Sequence, residues 1–218
     1  MTLTTVKVKP VVVVAGYGGW AQAAVNPSTE VVAALNRLNP EQYLLHCLDM
    51  PVDTTSLYER LDSAMQQYKP DIWIGIGVAV GSPAIRLEAI GINVRCFSVP
   101  DVNGVTLPPT PVIDGGPVAY QSNLKCEKVV QSLQTSGIPA VLSYHAGTHL
   151  CNQMLYSVLH LGEKKAMNLL GVFVHVPQST SNAANASDGV CSSMSLSMMT
   201  SALEMTIDCA VGQFNAAP

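Results

Sequence analysis

The chain has 218 residues, enough to bury a full core, and reads as one α/β domain spanning 1–218. Charged residues are only 12% and the formal net charge is −4 with no basic stripe, which argues against a nucleic-acid partner. The longest purely apolar run, Val11 to Ala15, is too short to cross a bilayer, and the N-terminus lacks the apolar core of a signal peptide, so no membrane role is expected.

Val11 to Val14 is a β-branched run and forms the expected first central strand. It leads into Gly16-Tyr17-Gly18-Gly19-Trp20 and then Asn26-Pro-Ser28, where Ser28 or Thr29 is placed to cap a helix carrying Val31, Val32 and Leu35. A Gly-rich turn after a strand can cradle a dinucleotide, but the full Gly-x-Gly-x-x-Gly spacing fails and the helix starts too late. Tyr17 and Trp20 instead suit the lining of a small apolar pocket, or a plug over the core. No cofactor is expected. Tyr43 to Leu48 is the second strand, Leu57 to Tyr68 a helix ending before Pro70, and Ile72 to Gly77 the third strand. Glu88 follows among apolar neighbours; either strand alternation exposes it, which the pattern alone favours, or it is held inside for a reason.

Pro100 to Pro117 is rich in Pro, Gly, Asn and Asp and reads as a long irregular loop. A helix is expected from about Tyr120 to Gln134. Pro139 to Leu142 then reads as a strand buried on both faces, Ser143 to Thr148 as a tight turn, and His149 onward as a helix with Leu150, Met154, Leu155, Val158 and Leu159 at helical spacing. Leu169 to Val174 forms the last strand and delivers His175 at its end. Ser179 to Val190 is small and polar and reads as mobile, and a final helix runs from about Ser193 to Val211.

Cys151 therefore sits in the first turn of a helix, where the helix dipole favours a thiolate; the competing reading is an inert core thiol. The six cysteines lack disulfide-framework spacing and point to reduced thiols and a cytoplasmic protein. If the strands are parallel neighbours, His175 emerges beside Cys151 at one sheet edge, and Glu88, following the third strand there, can orient the imidazole. A rival is zinc at His145, His149 and Cys151, with His160 nearby. But His145 belongs to the turn and His149 to the helix start, and no carboxylate pair joins them, so no metal is expected.

The segment Ser143-x-x-Ala146-Gly147-Thr148-x-Leu150-Cys151-Asn152 resembles the cysteine signature of the pyroglutamyl peptidase I (pyrrolidone-carboxylate peptidase) family of cysteine peptidases. Gly77-x-Ala79-x-Gly81 through Glu88 to Asn93 is similar to its glutamate signature, and Gly171-Val-Phe-Val-His175-Val-Pro177 to its histidine segment. Asn26-Pro-Ser28, Pro100-Asp101 and Asp114-Gly-Gly-Pro117 fall in the expected order. The resemblance implies a single-domain three-layer α/β/α sandwich with a mostly parallel sheet. It also implies removal of an N-terminal pyroglutamyl residue from small peptides through an acyl-enzyme. In that scheme Cys151 is the nucleophile, His175 the general base and acid, and Glu88 its orienting partner, while Tyr17 and Trp20 clasp the lactam ring. Association into a homo-oligomer is compatible with it. Departures are visible too: Val80 and Ser82 replace Gly-Arg, Ala89 replaces a basic residue, and Ser98 stands where many members carry Arg. His145 and His149 stand for a small and an aromatic residue. The alternative function is therefore a catalytically impaired member that binds a ligand or serves as a scaffold.

Overall fold

The computed structural model describes residues 9–19, 26–185 and 191–216. In chain order the elements are β1 (Val11–Tyr17), α1 (Pro27–Leu35), β2 (Leu44–Met50), α2 (Leu57–Tyr68), β3 (Ile72–Val78), β4 (Ile85–Glu88), β5 (Ile90–Ile92), β6 (Arg95–Phe97), β7 (Leu107–Thr110) and β8 (Ala119–Gln121). They continue with α3 (Cys126–Thr135), β9 (Ala140–Ser143), α4 (Leu150–Lys164), β10 (Leu170–Val176), β11 (Gln178–Ser179), α5 (Thr180–Ala184), β12 (Ser193–Met194) and α6 (Leu196–Asn215).

Six strands form the central sheet in the order β2-β1-β3-β10-β4-β9. Alternation along β1 shows why helices cover both faces. Val12 and Val14 point into a cluster with α1, α3 and α6, whereas Val13 and Ala15 point into one with α2 and α4. The result is a single-domain α/β sandwich whose sheet is mostly parallel. Among the described residues, no helix is long and apolar enough to cross a membrane.

The sheet has a seam. β2, β1, β3 and β10 run parallel, but β4 pairs antiparallel with β10 and parallel with β9. The expected parallel adjacency of the Cys151 and His175 strands is therefore wrong: β9 is separated from β10 by β4 and runs against it. Nor is β9 buried on both faces; it is an edge strand, and Val141 is 42% exposed.

Other boundaries also moved. Asn26, not Ser28 or Thr29, caps α1 through its side-chain oxygen, because Pro27 takes the first helical position and needs no N–H partner. Ser28 and Thr29 instead donate to the Tyr17 carbonyl, fastening the helix to the end of β1. The Pro100–Pro117 loop contains β7, paired with β6. Tyr120 lies in β8, paired with β5, so α3 starts only at Cys126. Ser179 caps the short α5, and residues 186–190 of the expected mobile segment lie outside the described residues. Ser195 caps α6.

Candidate active site

Cys151 is the second residue of α4, as its spacing predicts. No side chain caps this helix. The six residues between β9 and α4 bring the chain back over the ends of β3 and β10. Gly147, at φ +81°, makes the turn that Cβ-bearing residues avoid, and the Thr148 carbonyl accepts from the backbone N–H of Cys96 in the middle of β6. Asn152, fully buried, locks the first helical turn to the Ile92–Val94 backbone through three hydrogen bonds. The Cys151 sulfur then lies 2.9 Å from where a Cβ on Gly77 would stand, so the bare backbone of β3 makes room for it. Gly77 is the register partner of His175 on β10, which places thiol and imidazole at the same level of the sheet.

His175 is the penultimate residue of β10 rather than the residue after the strand, and it is buried. Its ring stands edge-on to Phe173, and its Nδ1 lies 2.8 Å from Glu88 Oε1. Burial alone would push the imidazole down. The adjacent Cys151 sulfur, by charge and hydrogen bonding, and then Glu88 overcome it and raise the pKa to about 9. Since the carboxylate can only accept, Nδ1 carries the proton in this pair and Nε2 is left for the sulfur.

Glu88 is 0% exposed, against the exposed reading favoured by its sequence pattern. It does not reach His175 by following β3 to the sheet edge. β4 enters at that edge and runs back, so Arg86 sits opposite His175 and Glu88 opposite Phe173. Burial works to raise the Glu88 carboxyl. Hydrogen bonding with His175 and Ser143, the imidazolium charge and Arg86 bring it below its usual range instead. Arg86 Nε donates to Glu88 Oε1 at 3.1 Å, and Arg86 Nη2 donates to Ser143 Oγ at 2.8 Å. Arg86 was not recognised from the sequence as part of this cluster, although residues two apart on a strand share a face, which was the available signal.

Tyr17 is buried at the end of β1, and its hydroxyl donates to the Leu150 carbonyl at 2.6 Å, tying β1 to the first turn of α4. Burial, reinforced by the charge of Cys151, raises its phenol well above the ordinary range. A cleft of about 90 Å³ opens over Cys151, walled by Tyr17, Val52, Val80, His149 and Gln178. That is small beside the roughly 300–1,000 Å³ of drug-sized pockets and suits a single ring. Trp20 lies outside the described residues.

The proposed metal histidines diverge. His145 Nδ1 accepts from the Gly147 amide, His149 Nε2 faces the Val99 carbonyl, and His160 Nδ1 faces the Tyr120 hydroxyl. Among the described residues no three His, Cys, Asp or Glu side chains converge as metal ligands.

A family model described as pyroglutamyl peptidase matches residues 10–213. The pyrrolidone-carboxylate peptidase of Brevibacillus brevis is 34% identical over 198 residues, covering 90% of this chain and 91% of that protein. The enzyme of the same name from Vibrio parahaemolyticus is 34% identical over 194 residues, covering 89% of each. In structure, a mutant pyrrolidone carboxyl peptidase from Pyrococcus furiosus superposes with a TM-score of 0.90 at 29% identity, covering 93% of this chain and 99% of that one.

Proposed function

Since the chain belongs to the pyroglutamyl peptidase family of cysteine peptidases, we propose that it removes an N-terminal pyroglutamyl (5-oxoprolyl) residue from peptides. The observation that carries this reading is the alignment of three groups: the Cys151 sulfur over Gly77, His175 at the same register, and Glu88 hydrogen-bonded behind it.

In the proposed cycle, the Cys151 thiolate attacks the pyroglutamyl carbonyl carbon and forms the C–S bond. Charge builds on the carbonyl oxygen, where backbone N–H groups at the start of α4 donate to it. The His175 imidazolium then passes its Nε2 proton to the departing amine as the C–N bond breaks, leaving a thioester on Cys151. A water molecule gives a proton back to Nε2 and attacks the thioester, which frees pyroglutamate and restores the thiolate–imidazolium pair. Glu88 takes no proton; it holds Nδ1 and stabilises the positive ring.

For recognition, Tyr17 supplies an aromatic wall and Val52 and Val80 apolar ones. Asn26 also lines the cleft, but both ends of its amide are used by Gly18 and Ser28. Among the described residues Gln178, through its side-chain amide N–H, and His149, through Nδ1, are the polar side chains offered to the lactam. Six free thiols support a reducing, cytoplasmic setting for residues 1–218 acting as one catalytic domain.

The test is hydrolysis of a fluorogenic pyroglutamyl amide by the purified protein, with release of both pyroglutamate and amine. Binding of pyroglutamate without turnover would instead identify a non-enzymatic binding protein and overturn the peptidase reading.

A further inference from the structure

We propose that Arg86 is a positioning residue of this site. Its guanidinium bridges Glu88 on its own strand and Ser143 on β9, and so fixes the carboxylate that orients His175. The proposal rests on the peptidase reading above and adds a fourth member to its chain of charges.

Three features of the sheet assemble the bridge. Strand alternation puts Arg86 and Glu88 on one face of β4. The antiparallel ladder sets Arg86 opposite His175, and the parallel ladder sets Glu88 opposite Ser143. The guanidinium fork then uses two edges at once, Nε on Glu88 Oε1 and Nη2 on Ser143 Oγ.

Glu88 needs that support. It is fully buried, yet among the described residues its Oε2 makes no hydrogen bond. The two hydrogen bonds of defined geometry both act on Oε1, from His175 and Arg86, and Ser143, itself held by Arg86, lies near enough to favour the charged carboxylate. His175 is also the group that must be positioned, so it cannot serve as the fixed reference. Arg86, anchored on a second strand, can. Its side chain is 35% exposed, so the charge keeps some contact with water while the fork faces inward.

Charge and geometry make separable demands. The groups that face this chain of contacts are Cys151 from α4, Glu88 and Arg86 from β4, the neutral Ser143 hydroxyl from β9, and Cys126 from α3, which feels the Glu88 charge from the opposite layer. Removing the Arg86 cation makes the field at His175 more negative, so the imidazolium persists to higher pH. Arg86→Lys keeps the charge but cannot make the two-edged contact.

The experiment measures kcat, KM and pH profiles for wild type, Arg86→Met, Arg86→Lys and Ser143→Ala, using a pyroglutamyl amide. The pH dependence of Cys151 alkylation by iodoacetamide is followed in parallel. Arg86→Met is expected to lower kcat by roughly 10- to 100-fold with KM nearly unchanged, to move the alkaline limb of the turnover profile upward, and to move the rise of the alkylation rate to higher pH. Arg86→Lys should restore the limb but not the rate, and Ser143→Ala should lose only a few-fold. Wild-type kcat together with an unmoved limb in Arg86→Met would overturn the proposal. Should Arg86→Met fail to fold, Arg86→Lys is introduced into Glu88→Gln protein. Little further loss there supports the bridge, because the two residues act as a unit, and an additive loss overturns it. The alkylation profile needs no substrate, so a wild-type protein that fails to cleave the amide sinks the peptidase reading without deciding the role of Arg86.

Discussion

The groups behind Cys151 and the walls of the cleft above it are built differently. On one side of the thiol, at the seam between β10 and β4, His175, Arg86, Glu88 and Ser143 are set by strand registers. His175 faces Arg86, Glu88 faces Ser143, and hydrogen bonds between 2.8 and 3.1 Å join them. On the other side the walls come from the end of β1, the segment after β2, the turn after β3, and β11. There Val80 is 73% exposed, and His149 is held by one ring contact with Phe97 and one bond to a backbone carbonyl. In the proposed peptidase, the groups that orient the imidazole, which tolerate little misplacement, sit on the sheet, and much of the wall that would meet different peptides sits on loops. Of the departures named from the sequence, Val80, Ser82 and His149 fall on the loop side, whereas Ala89 directly follows Glu88 at the seam and donates its backbone N–H to the Ser143 carbonyl.

If that division holds, substitutions at the seam abolish rate, whereas those in the wall alter selectivity. Cys151→Ala and His175→Ala should each lower kcat/KM by about 10⁴-fold or more, because they remove the nucleophile or its proton carrier. Iodoacetamide should label Cys151 first among the six cysteines. The pH profile carries a sign as well. The pKa of His175 is raised to about 9, so the imidazolium that protonates the leaving amine survives well above its ordinary range. Activity should fall on the alkaline side near pH 9, not near neutrality, and an alkaline limb close to pH 7 would break the coupled Cys151–His175 pair.

On the wall side, a prolyl amide should be rejected by roughly 10³-fold relative to a pyroglutamyl amide with the same leaving group. It brings a charged amine into an apolar cleft and lacks the ring carbonyl that the polar side chains expect. Equal rates for the two amides would show that the cleft does not read the lactam. Between these extremes lies Glu88. Glu88→Gln keeps one hydrogen bond to His175 but loses the charge, and should cost roughly 10- to 100-fold in kcat. Glu88→Ala should also lower thermal stability, because it leaves Arg86 beside an empty buried site. A wild-type rate for Glu88→Ala would remove it from the mechanism.

How far the sequence revealed this division depended on range. β1, β3 and β10 were legible because both their faces are apolar, and α2 and α4 because their spacing is helical. Cys151 and His175 came with them, as each lies next to a strongly patterned element. The reversed pair β4–β9 was not legible from local pattern, since strands of four residues do not encode their direction. One clue existed. Only six residues separate β3 from β4, and a parallel return needs a crossover of about a dozen or more, so β4 had to run backward. The same reversal explains why Glu88 looked exposed. Its apolar neighbours Leu87 and Ala89 face one helical layer, and the carboxylate faces the other, where its partners come from β10 and β9. Asn26-Pro27 likewise announced the start of α1, because Pro favours the first helical position.

Tyr17 belongs to both sides, and the smallest expected effect tests where they meet. Its ring lines the cleft, but its hydroxyl holds the carbonyl of Leu150, the residue before the nucleophile. The raised phenol pKa keeps that donor protonated throughout the working range. Tyr17→Phe retains the wall and deletes only the hydrogen bond. Leu150 keeps its place in α4, so the loss should be near 1 kcal/mol of stability, with a few-fold drop in kcat and no change in the pyroglutamyl-to-prolyl ratio. Tyr17→Ala removes wall and bond together, and the ratio should fall as well, because the ring loses the face it packs against. Comparing the two variants by thermal unfolding and by both amides separates the roles. If Tyr17→Phe matches wild type in stability and rate, the hydroxyl does not anchor the helix that carries Cys151. If Tyr17→Ala keeps its selectivity, the lactam is read elsewhere in the cleft, with Gln178 and His149 the next residues to replace.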